Sequence, residues 1–214
     1  RFAKGYQMSF AYTFGKALGY AGEDSPSSPS IAIPWLYGLT RGPLSQDISH
    51  NFQTNAVVEL PFGRGRKWAT EGVASKVLGG WQLNGLFSAY TGQPFTITAS
   101  GAALNAPGTN QRGDCIAAPV KKGSVNEWYD RSSFLPVTVP RMGTCGQNAL
   151  RGPGVLSLDL GLFRKFQVTE RFDVQFRAEA FNVSNTPHFA NPQGNVNNAN
   201  FMTVTGLRNN GREG

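Results

Sequence analysis

Residues 172–180 read Phe172-Asp173-Val174-Gln175-Phe176-Arg177-Ala178-Glu179-Ala180, and this stretch decides the fold class. Apolar side chains occupy its even positions, and polar or charged side chains occupy its odd positions. In a β-strand, successive side chains point to opposite faces, so a period of two shows what each face contacts. The stretch therefore predicts a strand with one apolar face and one polar face.

The same alternation recurs in four earlier segments, at residues 6–14, 51–62, 81–89 and 156–162. Phe95 and Ile97 are expected to extend the third segment past a bulge at residues 92–94. Each segment is about ten residues long, which matches the length that a tilted strand uses to cross a bilayer. The sequence therefore predicts an all-β fold, an antiparallel transmembrane β-barrel of which about five long strands are present.

The two faces of these strands differ in chemistry. The polar face contains mainly Gln, Asn, Ser, Thr and Gly, so we expect it to line a water-filled or plugged lumen, with lipid against the apolar face. The residues expected to face the lumen are Asp159, Asp173, Gln175, Arg177 and Glu179. The charged members of this set are expected to pair across the hairpin with one another and with Lys165. The residues expected to face lipid are Tyr6, Phe10, Tyr12, Leu158, Leu160, Phe172, Val174 and Phe176.

A soluble β-sandwich is the main alternative fold, because its strands also alternate. Sandwich strands are usually about 5–6 residues long, which is roughly half of the length predicted here. Only 15% of the residues are charged, whereas roughly 25% is usual for a soluble domain. No run approaches the ~18 apolar residues that a membrane-spanning helix needs, so a helical membrane protein is excluded.

The formal charge of +7 raises the possibility of a nucleic-acid partner. The basic residues are scattered, apart from Arg64, Arg66 and Lys67, and neither zinc-ligand spacing nor a recognition helix accompanies them. A solvated basic turn explains the cluster equally well. We therefore expect no nucleic-acid partner.

The connections between the segments alternate between long and short. Barrels in outer membranes have short periplasmic turns and long outer loops, so the loops at about 17–49, 99–154 and 183–211 are expected outside. Five strands cannot close a cylinder, and open edges in a bilayer leave backbone groups unpaired. We therefore expect residues 1–214 to be part of a single outer-membrane barrel domain, with further strands before Arg1 and a closing strand after Gly214.

Cys115 and Cys145 are the only cysteines, and both fall in the connection at 99–154. A pair in an exposed loop suggests a disulfide, because export passes through an oxidising periplasm; two free thiols are the alternative. A metal site needs more ligands, and neither histidine lies nearby in sequence. The chain also lacks a Gly-x-Ser-x-Gly, a His-Glu-x-x-His or a phosphate-cradling motif. We therefore expect no enzyme activity and assign no catalytic, cofactor-binding or metal-binding residue.

Several stretches, in order along the chain, carry a resemblance to a known family. They are NAVVELPFGRG (55–65), GGWQLNG (79–85), TGQPF (91–95), NALRGPG (148–154) leading into LDL (158–160), FRAEAFN (176–182) and NTPHF (185–189). Together they resemble the C-terminal barrel of Oar-like TonB-dependent receptors, whose members typically carry an N-terminal carboxypeptidase-regulatory-like domain. The resemblance spans nearly the whole chain.

The resemblance implies a location in the bacterial outer membrane and a plugged barrel of about 22 strands. The partners that it implies are outer-membrane lipid, an N-terminal plug domain, the TonB system and a transported ligand of unknown identity. The family's last strand ends in an aromatic residue, and no such strand follows Arg212. The final strand is therefore expected to lie outside these residues.

Three functional hypotheses follow. The first is ligand binding by the outer loops and uptake across the outer membrane, driven through TonB. The second is a structural, adhesion or secretion-related outer-membrane barrel whose loops contact partners. The third is a soluble secreted β-sandwich that binds glycans through its aromatic residues.

Overall fold

Five long strands form the main sheet of the chain. The computed structural model describes residues 5–20, 36–104 and 111–208. The long strands are β1 (Tyr6–Phe14), β2 (His50–Glu59), β3 (Trp81–Tyr90), β4 (Val155–Gln167) and β5 (Asp173–Ala180). They pair in the order β1-β2-β3-β4-β5, with β1 and β5 at the two ends of the sheet. The all-β fold with about five long strands is confirmed.

The strands are antiparallel. Between β4 and β5, Leu160 is paired with Ala180 at one end of the ladder and Gln167 with Asp173 at the other. Between β1 and β2, the Glu59 N–H donates to the Gly5 carbonyl and the Gly15 N–H donates to the Ser49 carbonyl, at 2.7 and 3.1 Å. One partner's number rises as the other's falls, which is the antiparallel pattern.

A short helix and a tight turn form the connections that the sequence predicts to be short. Between β2 and β3 lies helix α2, which spans Gly72–Leu78. The Trp81 indole N–H donates to the Val77 carbonyl at 3.0 Å, so the end of the helix is bonded to the start of β3. Among the described residues, no helix is long and apolar enough to cross a membrane.

Contacts divide the chain into two units. The strand unit comprises Arg1–Thr13, Asn51–Ala89 and Leu156–Thr186, and the loop unit comprises Phe14–His50, Tyr90–Val155 and Pro187–Gly214. The loop unit contains most of the three connections expected to lie outside the membrane. Residues 21–35, 105–110 and 209–211 of these connections, together with residues 1–4 and 212–214, lie outside the described part of the chain.

Short elements make up the described part of the loop unit. They are helix α1 (Tyr37–Thr40), the 3-10 turns Gly101–Leu104 and Arg131–Ser133, and four antiparallel pairs of two-residue strands. The pairs are Leu18–Gly19 with Gly42–Pro43, Pro94–Phe95 with Leu150–Arg151, Thr98–Ala99 with Gln111–Arg112, and Asp114–Cys115 with Phe134–Leu135. The loop unit also has its own core of Phe95, Ile97, Tyr129, Phe134, Cys145, Leu150, Phe201 and Met202.

The predicted extension of the third strand through Phe95 and Ile97 is wrong. β3 ends at Tyr90, and both side chains lie in the core of the loop unit, where Ile97 is fully buried. Gly92 passes so close to the Gly152 carbonyl that a Cβ at position 92 would overlap it. Pro94, which cannot donate a backbone hydrogen bond, then begins a separate short strand. The alternation identified extended backbone there but not the strand with which it pairs.

The assignment of the two faces can be tested at neighbouring positions of β1. Phe10 and Ala11 are both exposed and point to opposite faces of the strand. Phe10→Arg is expected to destabilise the full-length protein in a bilayer by about 2–4 kcal/mol, because it places a charge on the lipid side near mid-membrane. The matched variant Ala11→Arg adds the same charge to the polar face and should cost less than about 1 kcal/mol.

The measurement is urea unfolding in lipid vesicles, followed by the heat-dependent shift in gel mobility. Equal destabilisation by the two variants would contradict the assignment of the faces.

Candidate functional site: the faces of the strand unit and the loop unit

The apolar face of the sheet is continuous and largely exposed. Of the eight residues expected to contact lipid, Leu158 and Leu160 are half-buried and the other six are exposed, with Phe172 reaching 70%. Aromatic rings meet edge-on across this face, at 6.1 Å between Phe52 and Phe87 and at 5.6 Å between Trp81 and Phe176. A contiguous apolar surface of this kind marks contact with a membrane or with another protein.

The polar face contains a cavity of about 490 Å³. Its lining includes Gln7, Asn55 and Asn84 from three successive strands, together with Asp159 and Glu179. Asp159 accepts a hydrogen bond from the Asn182 backbone N–H at 2.7 Å. The cavity therefore offers amide and carboxylate groups, which suit contact with water or with a polar protein surface.

The ion-pair ladder expected on the polar face is only partly formed. Lys165 pairs with Asp173 at 2.6 Å, and Gln175 lies opposite Lys165 in the register. Arg177, however, lies over the Phe163 ring, with its guanidinium carbon 5.1 Å from the ring centroid. Glu179 lies opposite Gly161, and neither it nor Arg177 has an ion pair among the described residues. Phe163 folds back over Gly161, so the aromatic ring occupies the space that a longer side chain would fill.

A half-buried arginine, Arg151, holds three parts of the loop unit together. Arg151 forms an ion pair with Asp47, whose side chain is only 2% exposed. The Arg151 guanidinium also donates to the Ser49 hydroxyl at 2.7 Å and to the carbonyls of Asp47 and Gly92, both at 3.1 Å. Five N–H donors in a planar fork let one arginine satisfy several acceptors that the chain leaves inside the unit.

The charge state of Asp47 follows from this arrangement. Burial would raise the pKa of the Asp47 carboxyl, but hydrogen bonds from the Ala17 backbone N–H and from Arg151 outweigh it and hold the pKa below its usual value. The Ala17 N–H lies 2.6 Å from the carboxylate. Asp47 is therefore ionised at neutral pH, as its partnership with Arg151 requires.

Two further polar contacts join segments that are far apart in sequence. Asn148, which has a positive φ of 50°, donates its backbone N–H to the Thr96 hydroxyl and its side-chain N–H to the Pro43 carbonyl, at 2.9 and 2.8 Å. Arg141 donates two parallel hydrogen bonds to Asp114, at 2.8 and 2.6 Å. The Arg141 hydrogen bond is the main cause of the lowered pKa of Asp114, and the Thr144 backbone N–H adds to it.

Cys115 and Cys145 are joined by a disulfide, with their Cα atoms 5.0 Å apart. Cys145 is buried in the core of the loop unit, and its backbone N–H donates to the Gly113 carbonyl at 3.0 Å. The Cys115 backbone N–H donates to the Thr144 hydroxyl, also at 3.0 Å. The disulfide therefore lies beside the Asp114–Arg141 pair. Both connect residues 114–115 to residues 141–145.

Sequence reasoning missed the polar core of the loop unit. Asp47 carried no local signal, because it lies in an irregular segment and its partner Arg151 is 104 residues away. Arg151 falls within the stretch 148–154, which the family resemblance had singled out without assigning it a role. Asp114 and Arg141 flank the two cysteines, so the predicted disulfide was the available signal for their proximity.

These features define a class of protein. Long antiparallel strands of bilayer-spanning length, with one exposed aromatic and aliphatic face and one polar face, form the wall of a membrane β-barrel. The model of the family described as "Outer membrane beta barrel domain" matches residues 1–214, and the chain belongs to this family. The family places the protein in the outer membrane. Neither the curated proteins nor the solved structures contain a match.

Removing the acceptor of the buried ion pair is expected to loosen the loop unit. Asp47→Asn leaves the half-buried Arg151 charge without its carboxylate, and loss of a charged hydrogen-bond partner of this kind typically costs about 1–3 kcal/mol. Limited proteolysis of the full-length protein in detergent should show faster cleavage within residues 14–50 and 90–155. Glu127→Gln, which removes a surface partner of Lys122, should change the cleavage rate little.

The pH dependence of cleavage gives a second readout for Asp47. The lowered pKa contributes stability that is fully present above about pH 4, the value for an unfolded aspartate, and is lost as the pH falls through the folded-state pKa. The difference between wild type and Asp47→Asn should therefore be constant from about pH 5 to 8 and shrink below about pH 4. A constant difference down to pH 2 would contradict the role given to Asp47.

Opening the disulfide should destabilise the loop unit without changing the sheet. Replacing Cys115 and Cys145 with Ser removes a crosslink between residues 30 apart in sequence, and closing a loop of that size is worth roughly 3–4 kcal/mol. Cleavage within residues 111–155 should accelerate, while the heat-dependent gel shift of the barrel is retained. Wild-type protein treated with reductant should match the double variant, and equal resistance in all three samples would refute the stabilising role.

Proposed function

We propose that this chain is part of a TonB-dependent-receptor-like barrel that binds a ligand with its outer loops and takes it up across the outer membrane. The observation that carries the proposal is the organisation of the loop unit. Its connections are held by a buried apolar core, the Arg151–Asp47 pair and the Cys115–Cys145 disulfide. A preorganised surface loses little conformational entropy when a ligand binds, which favours recognition.

The polar face of the sheet supports the same proposal. A plug domain that fills a barrel needs a wall of hydrogen-bonding groups, and the cavity lined by Asn55, Asn84 and Asp159 offers such groups. The proposed partners are therefore the N-terminal plug domain on this face, outer-membrane lipid on the apolar face, and TonB as the source of energy. The proposed activity is transport and involves no catalytic step.

A surface structural, adhesion or secretion-related role is the second candidate. The crosslinked loop unit also supports this role, because outer loops held by a core and a disulfide can contact a partner protein or an extracellular polymer. Energy dependence distinguishes the two roles, since adhesion does not need the inner-membrane proton gradient. The soluble sandwich is disfavoured, because a sandwich buries the apolar face of its sheet and residues such as Phe10 and Phe172 are exposed here.

The test compares solute uptake by cells that carry or lack the full-length gene. Both strains are grown in the same complex medium, and the solutes remaining are quantified by mass spectrometry with and without a protonophore. At least one solute should disappear from the medium faster with cells that carry the gene than with cells that lack it. The protonophore should abolish this difference in rate. Complementation with the Cys115→Ser, Cys145→Ser double variant should restore only part of the uptake.

If the two strains deplete every solute equally, or if the difference survives the protonophore, the transport proposal fails. Binding of wild-type cells alone to a surface or to other cells would then support the adhesion role.

A further inference from the structure

A basic pocket lies at the end of the sheet where the short connections are found. Its volume is about 580 Å³, and its lining includes Arg64, Arg66, Lys76, Arg164 and Lys165. Phe62 and Phe166 also line it, so aromatic side chains adjoin the positive charges. We call it the turn-side pocket. All of its lining residues belong to the strand unit.

Two of the five cations in the turn-side pocket have carboxylate partners. Arg66 pairs with Glu59, and Lys165 pairs with Asp173. Among the described residues, the side chains of Arg64, Lys76 and Arg164 form no ion pair. Glu71 lines an adjoining cavity together with Arg64 and Lys76, and the pocket stays positive when this carboxylate is counted.

Arg164 occupies an unusual place for a charged residue. It lies on the apolar face, opposite Phe176 in the register. Its guanidinium carbon is 5.4 Å from the centroid of the Trp81 ring and 4.3 Å from that of the Phe166 ring. Its N–H groups donate to the Lys76 and Val77 carbonyls at the end of α2. The two carbonyls accept hydrogen bonds from the Arg164 guanidinium but do not neutralise its charge. A full positive charge therefore remains on a face predicted to contact lipid.

Helix α2 exposes an apolar stripe beside this charge. Val73 and Val77, one helical turn apart, are 76% and 56% exposed. Lys76 lies in the last turn of the same helix. An apolar stripe flanked by a lysine is the pattern of a helix that lies in the plane of a membrane interface. Bonds from Trp81 and Arg164 hold the end of the helix against the apolar face.

We propose that the turn-side pocket binds the phosphate group of an anionic glycerophospholipid from the periplasm-facing leaflet. Arg64 and Lys76 would contact the phosphate, Arg164 would supply positive charge beneath it, and the acyl chains would lie along the apolar face beside Trp81 and Phe166. Short connections face the periplasm in outer-membrane barrels, which selects this leaflet. Basic pockets next to apolar membrane surfaces recognise anionic headgroups in this way. The inference rests on the membrane location and does not depend on ligand uptake.

The test measures lipid binding to the full-length protein by native mass spectrometry from detergent. The probes are dioleoylphosphatidylglycerol, which is anionic, and dioleoylphosphatidylcholine, which has no net charge. The test variant is Arg64→Gln with Lys76→Gln, because both side chains are exposed and neither forms an ion pair in the described residues. Each lost cation should weaken binding about fivefold, so the Kd for the anionic lipid should rise roughly 25-fold.

The matched control is Lys16→Gln with Arg41→Gln, which removes the same charge from exposed positions of the loop unit. It should leave the Kd for the anionic lipid unchanged, and neither variant should alter binding of phosphatidylcholine. Equal effects of the two double variants, or equal affinity of the wild type for both lipids, would overturn the proposal. Displacement of the lipid by glycerol phosphate at an equal concentration would also overturn it, because the site would then recognise a soluble phosphate.

Discussion

Water is absent from the hydrocarbon layer of a membrane, so each backbone N–H and C=O group there must be bonded within the protein. The ladder between β4 and β5 meets this requirement residue by residue, from Leu160 with Ala180 to Gln167 with Asp173. The same pairing fixes which side chains share a face, because an antiparallel ladder places directly opposite residues side by side. Aromatic rings on this shared face meet both between neighbouring strands, as Phe52 and Phe87 do, and across an intervening strand, as Trp81 and Phe176 do.

In the loop unit, buried backbone N–H and C=O groups also need hydrogen-bond partners, but they obtain them by different means. Its two-residue strands leave many backbone groups without a ladder partner, and buried groups of this kind need another donor or acceptor. Arg151 supplies donors to the Asp47 and Gly92 carbonyls, and the Asn148 side chain supplies one to Pro43. Side chains therefore replace part of the backbone pairing. The disulfide adds a constraint that does not depend on hydrogen bonding.

The sequence predicted the five long strands and their antiparallel arrangement, because the alternation of apolar and polar side chains is a local signal. It failed where the structure depends on long-range contacts. Phe95 and Ile97 continue the alternation, but their partners are Leu150 in a short ladder and the core of another unit. The hydrogen bond between Thr96 and Asn148 spans 52 residues, and no local pattern marks either residue as a partner of the other. The disulfide could be predicted because the chain has only two cysteines.

Arg164 and Lys165 show how strongly the two faces differ. They are neighbours on β4 and point to opposite sides of the sheet. On the polar face, Lys165 pairs with the Asp173 carboxylate, and both side chains are exposed. An ammonium is compact and strongly hydrated, so it suits a position that water also reaches. On the apolar face, Arg164 lies against the Trp81 and Phe166 rings and bonds to backbone carbonyls. A planar, weakly hydrated guanidinium can make both contacts at once, whereas an ammonium cannot stack in this way. These contacts with two rings and two backbone carbonyls therefore explain why position 164 carries arginine rather than lysine.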